Sequence, residues 1–68
     1  MIDTDALRGI IASRRLSQRK VARQLGITEA TFYRKMREGV FISTEMEAMV
    51  EILGIEDPCS IFFKPNVA

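Results

Sequence analysis

The sequence predicts one all-α domain of five short helices. Three observations carry this expectation. Apolar residues recur at i, i+3 and i+4 in successive segments, a spacing that gathers them on one helical face. Residues that cap helix starts (Asp3 or Thr4, Ser17, Thr28, Ser43 or Thr44, Asp57) precede those segments, and Gly26, Gly39 and Gly54 follow three of them. With 68 residues there is room for one core, since such a chain buries only roughly 60% of the surface its unfolded form exposes. No repeat, low-complexity stretch or linker divides residues 1–68.

In chain order, residues 3–15 read as the first helix. Asp3 and Asp5 suit the positive end of its dipole, Arg14 and Arg15 suit the negative end, and Leu7, Ile10 and Ile11 form the buried stripe. Leu16 packs beneath the next helix. Residues 17–38, SQRKVARQLGITEATFYRKMRE, are the stretch the rest serves. Ser17 caps a helix over about residues 18–25 whose apolar face is Val21, Ala22 and Leu25. Gly26 ends it in a conformation cheap only for glycine, Ile27 plugs the corner, and Thr28 caps a third helix over about residues 29–37. Phe32 and Met36, spaced by four, face the core. Two short helices joined by a turn with glycine make a helix-turn-helix.

Residues 40–42 are a partly buried connection. Ser43 or Thr44 then starts a fourth helix, with Thr44 and Glu47 at capping-box spacing and Met46, Met49, Val50 and Leu53 as the apolar stripe. A methionine-rich stripe can mark an adaptable binding surface, but core packing is the simpler reading. Gly54 ends that helix and Ile55 folds back on it. Asp57 and Pro58 start a short fifth helix or turn over residues 59–63, and Lys64 and Pro65 end regular structure.

The residues Gln18, Ala22, Gly26 and Phe32 resemble the helix-turn-helix of the phage repressor and Cro family of DNA-binding domains. The resemblance runs from about residue 4 to residue 63. Phe32 departs from it, being larger than the Val or Ile usual there. The resemblance implies a compact lambda-repressor-like domain that binds double-stranded DNA as a homodimer on an inverted-repeat operator. It also implies that Gln18 contacts phosphate and braces the recognition helix.

Charge is divided along the chain. Residues 8–37 hold nine of the ten Lys and Arg residues with Glu29 as their one acid, a net +8, whereas residues 38–68 carry a net −5. Such asymmetry is the footprint of a surface that meets phosphate on one side only. In a helix-turn-helix the N-terminal part of the second helix meets base edges in the major groove while the first crosses the backbone. That geometry nominates Thr28, Glu29, Ala30, Tyr33 and Arg34 for base contact. Arg34 has the fork that reads guanine, Glu29 accepts from cytosine's amino group, and Ala30 fits a thymine methyl. Glu29 has two other roles open to it, steadying the helix N-terminus or holding a neighbouring arginine. Ser17, Gln18, Arg19, Lys35 and Arg37 are nominated for phosphate, with Arg14, Arg15 and Lys20 behind them. The apolar segment Ile61, Phe62 and Phe63 is the expected homodimer surface, with one phenylalanine turned in and the other out.

Other classes find little support. There is no His, no metal-ligand cluster, no glycine-rich phosphate loop and no paired carboxylate site, so neither catalysis nor a cofactor is expected, and no small-molecule ligand is evident. Cys59, without a His partner, reads as a small buried residue. No signal-peptide pattern opens at Met1 and no apolar run approaches the ~20 residues that span a bilayer, so a cytoplasmic, nucleoid-associated, bacterial or phage-encoded protein is expected. The alternative is a protein-interaction module of the same fold, antitoxin-like or a regulatory partner, with weak or non-specific DNA binding.

Overall fold

The computed structural model describes residues 2–63, and these form five helices and no strand. They are α1 (Thr4–Ser13), α2 (Gln18–Leu25), α3 (Glu29–Glu38), α4 (Ser43–Leu53) and α5 (Pro58–Phe62). The expected stop at Lys64 and Pro65 lies outside the described residues.

The second helix is the hub. It packs against α1, α3 and α4, while α5 closes on α1. Val21 and Ala22, fully buried on α2, explain why: a small residue beside a β-branched one lets three helices approach one face. Around them lie Leu7 and Ile11 of α1, Phe32 and Met36 of α3, Met49 and Leu53 of α4, and Ile61 and Phe62 of α5. Phe32 is fully buried, and its ring meets that of Phe41 with centroids 5.5 Å apart and planes tilted by 57°. Phe41 belongs to the connection after α3, so the oversized residue of the motif is accommodated by a second aromatic. Ile2 joins this core, and its neighbour Asp3 donates its N–H to the Ile61 carbonyl at 2.7 Å, tying the chain's start to α5.

The caps follow the sequence at α1, α2 and α3. The side chains of Asp3, Ser17 and Thr28 each accept from the backbone N–H three residues on, at 3.1 Å. Gly26, Gly39 and Gly54 all take the left-handed conformation that ends a helix.

Four local expectations are corrected. The first helix stops at Ser13, because Arg15 turns left-handed at φ 58° and the Leu16 N–H bonds back to the Ile11 carbonyl. The fourth helix is capped by neither Ser43 nor Thr44. Its N-cap is Ile42, which has no acceptor, and the Glu45 carboxylate accepts the Ile42 N–H at 3.0 Å instead. Asp57 stands at the N-cap of α5 but makes no capping bond with its side chain, and Cys59 is exposed rather than buried. Among the described residues no helix is long and apolar enough to cross a membrane.

Candidate nucleic-acid interface

The third helix presents two faces. Phe32 and Met36 anchor it in the core, and the side chains at 29, 30, 33, 34 and 37 are exposed. Those positions recur at i, i+1, i+4, i+5 and i+8, which places them along one stripe. All five residues nominated for base contact therefore lie where a groove can reach them, with Thr28 exposed at the head of the stripe. The Thr28 hydroxyl accepts from the Thr31 N–H at 3.1 Å and donates to the Thr31 hydroxyl at 2.8 Å.

Glu29 sits between two donors. The Arg19 guanidinium on α2 lies 3.9 Å from its carboxylate. The Tyr33 phenol, one turn on, is held above its ordinary value of 10.0, first by hydrogen bonding with Glu29, then by desolvation, then by the carboxylate's negative charge. Glu29 thus joins the start of α3 to the start of α2, one of the alternatives open in the sequence. Arg34 is loosely paired with Glu38 at 3.9 Å, one turn along the helix, with both side chains about half exposed. A contact that long in open solvent contributes little and is readily exchanged for a base edge or a phosphate.

The phosphate candidates divide. Ser17, Arg19 and Arg37 are exposed, Gln18 is half-buried, and Arg37 has no ion-pair partner among the described residues. Lys35 is corrected. Its side chain is 17% exposed and its ammonium donates to both oxygens of Glu45 at 2.7 Å, so its charge is spent inside the protein. Arg14, a weaker candidate, is corrected too. Its Nε donates to the Leu53 carbonyl at 2.7 Å and an Nη to that of Gly54 at 3.4 Å, so it caps the C-terminus of α4. Sequence reasoning missed both fasteners. The one available signal was Glu45 itself, an acid among the apolar positions of the fourth helix.

The expected dimer segment does not form one surface. Ile61 and Phe62 are buried in the core, at 5% and 3% exposure, whereas Phe63 is 65% exposed. One phenylalanine is in and one out, but Ile61 and Phe62 are not available to a second copy.

Compared with families of known proteins, the chain matches "Bacterial regulatory protein, Fis family" over residues 3–39. This span takes in α1, α2 and α3, ending at the glycine that caps the third helix. Searches among curated proteins and among solved structures give no significant match. The family match covers more than half of the chain and coincides with the exposed stripe and its supports, and the protein belongs to the Fis family of bacterial regulatory proteins, whose helix-turn-helix domain binds DNA sequence-specifically and regulates transcription.

Proposed function

We propose that the protein regulates transcription by occupying an inverted-repeat operator, as a homodimer with α3 of each copy in the major groove. The observation that carries this reading is the composition of the exposed stripe on α3. Glu29, Ala30 and Tyr33 neither need nor favour phosphate, yet they stand between the cations Arg19, Arg34 and Arg37. Phosphate attraction alone would be better served by lysines there. In this reading Thr28, Glu29, Ala30, Tyr33 and Arg34 read bases, and Ser17, Gln18, Arg19 and Arg37 hold the backbone. Gln18, Ala22, Gly26 and Phe32 further support a phage repressor-like or Cro-like regulator, and a cytoplasmic, nucleoid-associated location goes with it.

One domain covers only a few base pairs, which is why pairing on half-sites one helical turn apart, roughly 34 Å, belongs to the proposal. With Ile61 and Phe62 in the core, the exposed apolar pair Val40 and Ile42, just beyond α3, is the better candidate to meet a second copy. The test is selection of bound duplexes from a random library at near-physiological salt, where the Debye length is ~8 Å and loose surface attraction is suppressed. A recovered inverted repeat with half-sites one turn apart supports the reading. Recovery of no common sequence, with binding lost as salt rises, removes base reading and leaves phosphate attraction.

A further inference from the structure

Between α4 and α5 runs an apolar groove of about 370 Å³, at the low end of the ~300–1,000 Å³ that ligand sites occupy. Met46, Val50, Phe62 and Phe63 make its apolar lining, and Glu47 is its one charged residue. Ser43, Met46, Glu47 and Val50 follow one another at i, i+3, i+4 and i+7, a single stripe about two turns long. No residue of α2 or α3 contributes, so the groove is separate from the stripe proposed to meet DNA.

The charge carried by α4, α5 and the segment joining them has one sign. Residues 38–63 contain six acids and no Lys or Arg. Glu38 and Glu45 are taken up by Arg34 and Lys35. Glu47, Glu51, Glu56 and Asp57 are exposed and form no ion pair among the described residues. Glu51 stands one turn beyond Glu47, and Asp57 adjoins Pro58 of the groove wall. A second copy laid groove to groove would set these acids against their own kind, and nucleic acid or an anionic membrane would be repelled. An α-helix with apolar anchors on one side and Lys or Arg on its flanks meets both the apolar lining and the acidic rim. Methionine and an exposed phenylalanine suit such a partner, since Met46 can repack around different anchors.

We infer that the α4–α5 groove docks a basic amphipathic helix of a partner protein, on a surface that stays open while α3 is on DNA. The probe is a synthetic helix of about 15 residues with leucines at i, i+4 and i+7 and lysines elsewhere, titrated into the isotope-labelled full chain and followed by NMR. A control peptide keeps the leucines and replaces the lysines with glutamates. Docking gives saturable shifts at Met46, Val50 and Phe63 with the basic peptide and at least tenfold weaker binding of the acidic one. Glu47→Lys, an exposed change outside the DNA surface, then raises the peptide Kd at least fivefold and leaves DNA affinity unaltered. The inference is overturned by the absence of saturable shifts in the groove. It is equally overturned by shifts confined to Glu51, Glu56 and Asp57, which would be loose charge attraction. Groove shifts that depend on protein concentration without peptide would assign the groove to a second copy and overturn it too.

Discussion

Two kinds of ion pair divide this molecule. On the surface proposed to meet DNA, Arg19 with Glu29 and Arg34 with Glu38 stand 3.9 Å apart in open solvent. Where α3 meets α4, Lys35 and Glu45 are 2.7 Å apart and largely buried. Exposed pairs of the first kind are worth ~0–1 kcal/mol and release their cations readily. A buried pair is different, because each charge needs the other once water has gone. A lysine and an arginine adjacent in sequence thus have opposite duties. Arg34 is available to a ligand, and Lys35 fastens the recognition helix to the next one. A count of basic residues therefore overstates the charge a protein can offer to phosphate.

The sharpest way to break that contrast is Glu45→Ala. It strands the Lys35 ammonium in a largely buried site and leaves the Ile42 N–H without its acceptor. Losing one partner of a fully buried pair costs ~3–5 kcal/mol, and because Lys35 keeps some exposure the expected loss falls below that range, about 2–3 kcal/mol. For a domain of this size that lowers the unfolding temperature by ~10–20 °C. The double change Lys35→Met with Glu45→Leu should recover most of it, since an apolar pair of similar volume is often as stable. Urea melts of the unaltered protein and the two variants decide the matter. A loss below ~0.5 kcal/mol in Glu45→Ala would put this pair in the same class as the exposed ones.

Arg34→Ala should do the reverse, leaving the unfolding midpoint nearly unchanged and weakening binding to a selected operator by ~1–3 kcal/mol. The loss should fall on one base pair, with discrimination there relaxed. Uniform weakening across all duplexes would make Arg34 a phosphate contact instead. The salt dependence of binding then separates two more neighbours. Arg37→Ala should lower the slope of log K against log salt by about one, as loss of one phosphate contact does. The double variant at Lys35 and Glu45 should leave that slope unchanged, although it too lacks a lysine of the basic block. A slope that falls in both would return Lys35 to the DNA surface.

Much of this architecture was legible in the sequence where the signal is local. Ser17, Thr28, Gly26 and Gly39 mark their helix ends by side chain or by freedom at positive φ, so α2 and α3 could be placed nearly to the residue. The stripe on α3 followed from Phe32 and Met36, whose spacing leaves the opposite side to solvent. What was not legible depends on residues far apart in the chain. The bonds from Arg14 to the end of α4 span about forty positions, and nothing near Arg14 announces them. The Glu45 pair reads locally as a polar interruption of an apolar face. Arg15 was hidden for another reason: a left-handed corner usually carries glycine, and here it carries arginine at φ 58°. Arg15→Gly should therefore stabilise the fold by ~0.5–1 kcal/mol, the steric relief exceeding the entropy glycine loses. A destabilised Arg15→Gly would mean that the arginine side chain contributes more than its backbone costs.

The smallest effect tests a contact on the surface proposed to meet DNA. Glu29 and Tyr33 are joined loosely, and the phenol of Tyr33 is held above its ordinary 10.0 chiefly by its bond with that carboxylate. The chain has one tyrosine and no tryptophan, so tyrosinate absorbance reports this group alone. In the folded protein the titration should lie above that of the same chain in denaturant. The folded state then holds its proton more tightly than the unfolded one. Its contribution to stability is complete below the unfolded pKa and is lost as pH rises through the folded pKa. Glu29→Gln removes the negative charge and the stronger acceptor together, so the folded titration should move down towards the denatured one. A midpoint unmoved by Glu29→Gln would mean that Glu29 does not hold the tyrosine. The carboxylate would then be tied only by Arg19 at 3.9 Å, and freer to turn towards a base.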